Sequence, residues 1–385
     1  MPESSSASSL RAAHAALAAV FLGFGAVDGT WSARLPALQH RLGLESGALG
    51  LVIFAVSATA TAALPVAGWL AGRHGSRGPA AVGLCLAAGG LTLAAYAPGL
   101  GTLVPAGCVL GAGFGVVDVA ANAHGVALER RVGRPLLSAL HAAWSFGLLA
   151  GAGLAAGAAA AGAGPRLQFP ALALGVAVLA ALAAPRLLRA TADAAAGAAR
   201  FSLPRGSLVL PALLTFCAMF VESASMSWSA VFLAGPAHAG AAVAAGGVAA
   251  FATAMAFSRL AGDRLTLRWG AAALTRRGGL LAGAGMLLAL ATRSPAPALA
   301  GFACVGAGCA ATVPVLFRIA ASAPGVGSGA GIASVATAGY TGGVVSGPAI
   351  GFLARGTGLT GALGLVVAAC ASIALLGPRL PVSTI

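Results

Sequence analysis

Long apolar runs alternate with short arginine-bearing stretches along almost the whole chain. A bilayer core about 30 Å thick is crossed by roughly 20 apolar residues in a helix. Runs of that kind predict an all-α membrane protein with twelve transmembrane helices. The predicted spans are residues 12–33, 47–71, 79–97, 102–127, 136–161, 167–185, 208–233, 240–262, 278–292, 296–320, 327–354 and 359–377.

The polar stretches between these runs carry most of the charge. All 22 basic residues are arginine, and the net charge is +14. They do not form the basic stripe with interleaved aromatic residues that a nucleic-acid-binding face needs, so we expect no nucleic-acid partner. Seventeen arginines fall on one side of the alternating loops and five on the other. Because arginine-rich loops stay in the cytoplasm, we expect a multi-pass protein of the bacterial inner membrane with both termini cytoplasmic.

The composition and the motifs of the sequence exclude several other classes of protein. With 59% hydrophobic and 8% charged residues, the chain cannot cover a soluble surface of this size. The six cysteines lie in apolar runs without CxxC spacing, which predicts unpaired buried thiols. The sequence lacks a Walker loop, a metal-ligand cluster and a nucleophile elbow. We therefore expect no cofactor, no metal and no enzymatic activity.

Three sequence matches at a nearly constant offset indicate an internal repeat. Trp31-Ser-Ala recurs from Trp228, and Gly111-Ala-Gly recurs from Gly306. The third match pairs Trp144, Gly147 and Gly151 with Tyr340, Gly343 and Gly347. This repeat predicts two six-helix bundles. The predicted division is an N-terminal bundle at 11–187, a linker at 188–206, a C-terminal bundle at 207–377, and cytoplasmic tails at 1–10 and 378–385.

The loop after the second span carries a recognisable motif. It reads Gly68-Trp-Leu-Ala-Gly-Arg73-His-Gly75-Ser-Arg77, with a weaker counterpart at Ser258-Arg259-Leu-Ala-Gly-Asp263-Arg264. The motif resembles the loop signature of the major facilitator superfamily, although Gly72 replaces the signature's aspartate. The resemblance implies two six-helix bundles and alternating access. It also implies a conformational role for Gly68, Arg73, Gly75, Arg77, Arg259, Asp263 and Arg264.

A narrower resemblance covers the fourth and fifth spans, from Asp118 to Pro135 and from Ser138 to Gly147. This region is similar to a bacterial branch of the superfamily related to the fucose permease group of proton-coupled sugar transporters. The resemblance implies a monomeric secondary transporter that acts on a small-molecule substrate together with protons.

Ionisable side chains inside spans are costly and mark functional positions. Asp28, Asp118, Glu129 and Glu222 are therefore the candidates for proton coupling. Asp118, Asn122 and Glu129 fall within about 40° of one another around the fourth span, which makes one polar stripe. Alternatives remain, because Asp28 could pair with Arg34, Glu129 with a neighbouring arginine, and Asp118 with an adjacent helix.

Polar and aromatic residues in the spans are the candidates for substrate binding: Asn122, His141, Trp144, Ser145, Ser223, Ser227, Trp31, Trp228 and Tyr340. Hydroxyls and an imidazole can hydrogen-bond a polar solute, and an indole can stack on a sugar ring. The alternatives are hydrogen bonds between helices for the serines and membrane-interface anchoring for the tryptophans.

These features favour proton symport of a small polar solute, a sugar or another metabolite. The main alternative is proton-antiport efflux of metabolites or drug-like compounds. The superfamily's drug antiporters carry a G-x-x-x-G-P-x-x-G pattern on the fifth helix, and here that pattern is on the eleventh, from Gly343 to Gly351. A third alternative is a sensor or scaffold that uses the same fold without transport.

Overall fold

The structure is a computed structural model that describes residues 7–133, 136–188, 203–324 and 328–380. Residues 1–6 and 381–385 of the predicted tails, residues 189–202 of the predicted linker and the side chain of Asp263 lie outside the described residues.

The described ranges fold into α-helices joined by short loops, which confirms the all-α prediction. The helices are α1 (Ala7–Ala33), α2 (Leu35–Leu42), α3 (Ser46–His74), α4 (Arg77–Tyr96), α5 (Leu100–Val132), α6 (Leu137–Ala160), α7 (Pro165–Ala183), α8 (Val209–Ala234), α9 (Ala241–Thr292), α10 (Pro295–Cys309), α11 (Thr312–Ala321), α12 (Ser328–Ala362) and α13 (Gly364–Leu376). Short 3₁₀ turns at Ala184–Arg186, Gly206–Leu208 and Gly377–Arg379 flank α7, α8 and α13.

Nine helical segments of the described chain are long and apolar enough to cross a bilayer, and α12 with α13, bent by 66° at their break, meets the same criterion as a pair. The predicted spans fall on helices, apart from residues at their ends and the breaks at residues 310–311 and at Leu363. The predicted span at 278–292 is the second half of α9, beyond Gly270, whose φ of 74° interrupts the helix. This segment is short and flanked by arginines, so it is not among the nine segments that are long and apolar enough to cross a bilayer.

One element departs from the sequence analysis. Residues between the first two spans form the short helix α2 rather than a plain loop. Its proline at the first turn favours helix initiation, and Gly43 ends it with a left-handed φ of 60°. Leu35 and Leu38 are buried, so α2 is held by packing on one face.

The described residues cluster into two compact units. The first contains residues 7–31, 55–133, 136–154 and 161–188. The second contains residues 32–54, 155–160, 203–324 and 328–380. The boundaries of the predicted bundles, 11–187 and 207–377, stay a prediction.

Equivalent close helix contacts occur in both units. In the first, a methyl group on Gly111 would collide with the carbonyl oxygen of Val56. In the second, a methyl group on Gly306 would collide with the carbonyl oxygen of Phe251. Gly306 is 195 positions after Gly111, and Phe251 is 195 positions after Val56. The repeat seen in the sequence therefore also repeats a helix contact. Small residues permit this backbone approach between membrane helices.

Candidate functional site

Three polar side chains of the first unit form a hydrogen-bonded chain. On α5, Asn122 Nδ2 donates to Asp118 Oδ1 at 3.0 Å and to the Asp118 carbonyl oxygen at 2.9 Å. His141 Nε2, on α6, lies 3.1 Å from Asn122 Oδ1. Since an amide oxygen only accepts, His141 carries its hydrogen on Nε2 and donates it. The structure therefore brings together three of the residues that the sequence nominated.

Glu129 fixes the start of the helix that carries His141. Its Oε1 accepts hydrogen bonds from the backbone N–H groups of Leu136 at 2.6 Å and Leu137 at 2.8 Å. The first N–H groups of a helix have no partner inside it, so a carboxylate there is stabilising. This contact differs from the expected pairing with Arg130 or Arg131. Glu129 therefore stabilises the start of α6, and the role of Glu129 in proton coupling stays a prediction.

Aromatic rings of α1, α5 and α6 contact one another and the His141 end of the hydrogen-bonded chain. Phe21 meets His141 edge-on, with ring centroids 5.4 Å apart. Phe24 lies 5.3 Å from Phe114 and 6.2 Å from Trp144. The sequence did not predict a role for Phe21, Phe24 and Phe114, because an aromatic residue in an apolar run has no distinguishing pattern. One signal was present, since Phe114 precedes Asp118 by four residues and so shares its helix face.

Asp28 lies on the face of α1 that carries these rings. At 100° per residue it is about 20° from Phe21 and about 40° from Phe24. Its side chain is half-buried. On another side α1 packs closely on α6, because Gly147 and Gly151 lie against the backbone of Leu22 and Ala26. Asp28 thus shares a helix face with Phe21, whose ring contacts His141.

The loop motif is anchored by a residue outside the predicted polar stripe. Gly75 has a left-handed φ of 77°, which a residue with a side chain rarely adopts. The next residue, Ser76, lies 2.9 Å through Oγ from Nδ1 of the buried His124. The backbone N–H of Leu188 donates to His124 Nε2 at 3.2 Å. His124 therefore connects the loop before α4 to the segment after α7.

The other loop residues have different surroundings. Gly68 is buried, Arg77 begins α4, and the guanidinium of Arg73 lies over the ring of Trp69, 5.6 Å from its centroid. In the second unit Arg264 is exposed. Arg259 pairs with Glu222 of α8 at 3.4 Å.

The serines of α8 contact α12. Ser223 Oγ donates to the carbonyl oxygen of Gly343 at 3.1 Å and accepts from Ser346 Oγ at 2.9 Å. These are the interhelical bonds that the alternative interpretation expects of serine. Ser227 and Tyr340 are half-buried. In the first unit, Ser145 Oγ bonds back to the carbonyl oxygen of His141. Substrate binding by these residues stays a prediction.

Two of the nominated tryptophans are packed away from any surface. The exposed fraction is 4% for Trp31 and 0% for Trp228. In this conformation neither ring is open to a solute or to the membrane interface. Trp144 is half-buried and lies among the rings described above, so it is the nominated tryptophan placed beside the polar chain. The six cysteines are free thiols.

The G-x-x-x-G-P-x-x-G pattern serves helix packing within the second unit. A methyl group on Gly351 of α12 would lie 2.6 Å from the carbonyl oxygen of Ser46. One on Gly50 of α3 would lie 2.8 Å from the carbonyl oxygen of Gly347. Beside this contact, Arg355 and Glu45 form an exposed ion pair at 3.1 Å.

Comparisons with known proteins agree with this architecture. The model of the Major Facilitator Superfamily matches residues 16–348. An uncharacterised MFS-type transporter of Yersinia pestis is 32% identical over 345 residues, which cover 87% of each chain. An uncharacterised transporter of Sinorhizobium fredii is 31% identical over 372 residues, covering 94% of this chain and 97% of the relative. The crystal structure of a D-xylose–proton symporter superposes with a TM-score of 0.76 at 15% identity, covering 97% of this chain and 98% of that chain. The chain therefore belongs to the Major Facilitator Superfamily, and it is a multi-pass membrane transporter with the fold of that family.

Proposed function

We propose that this transporter moves a small polar solute, a sugar or related metabolite, together with protons. The solute would cross the bacterial inner membrane by alternating access, with both termini of the chain in the cytoplasm. The observation that carries the proposal is the chain Asp118–Asn122–His141 inside the first unit.

The hydrogen-bonded chain of Asp118, Asn122 and His141 has the chemical groups that bind a polar solute. A carboxylate, a carboxamide and an imidazole together offer both donors and acceptors within two helices. Phe24, Phe114 and Trp144 provide apolar faces beside them. A few convergent polar groups among aromatic rings are typical of small-molecule sites.

The position of Asp118 within a predicted span supports the proposal of proton coupling. A carboxylate within a membrane span is costly as an anion, so proton binding there changes the energy of the conformations that expose it. A ligand shifts a conformational equilibrium only by the difference of its affinities for the two states. Asn122 supplies that difference if its hydrogen bond to Asp118 changes when the proton binds. Asp28, on the neighbouring face of α1, is the second candidate for the proton.

The arginine distribution supports the proposed orientation. Seventeen of the 22 arginines fall on the side that also holds the two ends of the chain. Basic loops are retained in the cytoplasm during membrane insertion, so this asymmetry places both termini there. Protease accessibility of tags added at either end, in right-side-out and inverted vesicles, tests this orientation.

The transport proposal is tested in proteoliposomes with a pH-sensitive dye in the outside medium. Sugars and small metabolites are added one at a time to wild-type protein, Asp118→Asn and Glu45→Gln. We expect one solute class to alkalinise the medium with wild-type protein and with the exposed control Glu45→Gln, but not with Asp118→Asn. Acidification of the medium on addition of a solute would instead support antiport. Unchanged coupling in Asp118→Asn would overturn the role of that residue.

A further inference from the structure

The ion pair between Arg259 and Glu222 lies within the helices of the second unit. Glu222 is thirteen residues into the 26-residue helix α8, about 20 Å from its start, and so near its middle. The contact joins Arg259 Nη2 to Glu222 Oε1 at 3.4 Å. Charged groups at such a position are costly and usually functional.

Arg259 is on the protein-facing side of α9. At 100° per residue it lies within about 40° of Val248, Ala252 and Met255, which are all buried. Phe257 and Leu260, which are 68% and 76% exposed, lie about 160° and 100° away from it around the helix. The lipid-facing side is therefore the one with Phe257 and Leu260, and the guanidinium is turned away from it.

The guanidinium nevertheless keeps accessible surface and spare donors. The side chain of Arg259 is 36% exposed and that of Glu222 is 24% exposed. An arginine has five N–H donors in a planar fork that matches a carboxylate through two parallel hydrogen bonds. In the described part of the chain the fork makes one long contact to one carboxylate oxygen. A second carboxylate has both the room and the donors to bind there.

We propose that Arg259 binds the carboxylate of the transported solute and that Glu222 is the counter-ion which this carboxylate displaces. The inference rests on the proposed transport of a small polar solute and narrows it to a small organic monoanion.

Charge balance explains why the ligand is a monoanion. Arg259 and Glu222 together are neutral, so binding of one carboxylate adds a single negative charge to the membrane interior. Uptake of one proton by the protein restores neutrality. A phosphate dianion would leave a further charge without a partner, and uncompensated charge in a low-dielectric region is strongly unfavourable. The solute and one proton would then cross together without net charge movement.

Equilibrium binding to purified protein in detergent separates this role from a structural ion pair. The ligands are small monocarboxylates, including glucuronate and galacturonate, each of which has a neutral hexose as its matched partner. We expect carboxylates of one class to bind wild-type protein and their neutral partners to bind at least ten times more weakly. Arg259→Gln should lose at least tenfold in affinity, and Arg259→Lys should fall between the two.

Glu222→Gln gives the decisive comparison. If Glu222 competes with the ligand for Arg259, its removal leaves affinity unchanged or raises it several-fold. If the pair only holds the helices together, both Glu222→Gln and Arg259→Gln lose affinity equally, which would overturn the proposal. The matched control is Arg355→Gln, which breaks the exposed ion pair with Glu45 and should leave binding as in wild-type protein. Size-exclusion chromatography and circular dichroism confirm that each variant is folded.

Three further outcomes distinguish this inference from the proposed function. Binding by no carboxylate of the panel, in folded protein, overturns the anion site. Proton movement with a neutral sugar alone, unaffected by Arg259→Gln, overturns the anion site while leaving proton-coupled transport standing. Carboxylate binding without proton movement upholds the anion site and removes the coupling.

Discussion

Asn122 lies one helical turn beyond Asp118 and donates a hydrogen bond from Nδ2 to Asp118 Oδ1 across 3.0 Å. The same carboxamide accepts from His141 through its oxygen. Asn122 thus uses opposite ends of one side chain to join a carboxylate on α5 to an imidazole on α6. Loss of Asn122 would therefore separate the carboxylate from the imidazole.

Replacement of Asn122 by alanine should break this connection while both helices stay in place. We expect the transport rate to fall at least tenfold, because an active-site hydrogen bond to a charged group contributes on the order of 1.5–3 kcal/mol. Initial uptake rates in proteoliposomes measure the effect. Ser372→Ala is the control, since its exposed hydroxyl bonds only within α13. A normal rate in Asn122→Ala would show that Asp118 and His141 act independently of each other.

Glu129 offers a test of two roles that the sequence left open. If its main task is to cap α6, Glu129→Ala should lower the free energy of unfolding, because the N–H groups of Leu136 and Leu137 lose their acceptor. Glu129→Gln keeps an acceptor oxygen and should retain most of the stability and of the proton coupling. Chemical unfolding in detergent and dye-based proton uptake measure these two quantities. If the Glu129→Gln protein is stable but lacks proton coupling, the carboxylate of Glu129 takes part in the coupling.

Some features of the fold and of the candidate site could be predicted from the sequence, and others could not. Apolar run length predicted the spans, since a bilayer demands about 20 apolar residues per crossing. The shared helix face of Asp118 and Asn122 followed from helix periodicity, and their hydrogen bond did not. The link from Glu129 to α6 crosses a loop, and no local pattern encodes a contact of that kind.

Long side chains were the other source of difference. The contact of Arg259 with Glu222 was not predicted, because an arginine side chain reaches far from its own backbone. The structure brings it to Glu222 in the middle of α8. Helix α2 was missed because eight amphipathic residues are too few to stand out beside spans of twenty or more.

The repeated glycine contacts should be sensitive to one added methyl group. Gly111→Ala and Gly306→Ala each place a Cβ against a backbone carbonyl of a neighbouring helix, so we expect each to lower the free energy of unfolding by about 1–3 kcal/mol. Gly89→Ala is the matched control, because a methyl group there meets open space. That control should be neutral or slightly stabilising. Thermal unfolding in detergent ranks the three variants, and equal midpoints would contradict the close approach.

His124 holds the backbone of Leu188, the first residue of the predicted linker, through a hydrogen bond. Its Nε2 accepts from the N–H of Leu188, so the hydrogen of the neutral ring is on Nδ1, which faces Ser76. His124→Phe removes the acceptor and keeps a ring in the buried site. We expect the Leu188 amide to exchange with deuterium at least tenfold faster, since a buried acceptor has been lost.

Ser76→Ala separates the two bonds of His124. It removes the partner of Nδ1 and leaves Nε2 free to accept from Leu188, so the amide should keep most of its protection. Hydrogen–deuterium exchange of the peptide that ends α7 measures both variants against wild-type protein. Equal exchange in His124→Phe and wild-type protein would mean that Leu188 is held by another group. Loss of protection in Ser76→Ala would mean that Ser76 orients the ring, and that the loop before α4 controls the linker through it.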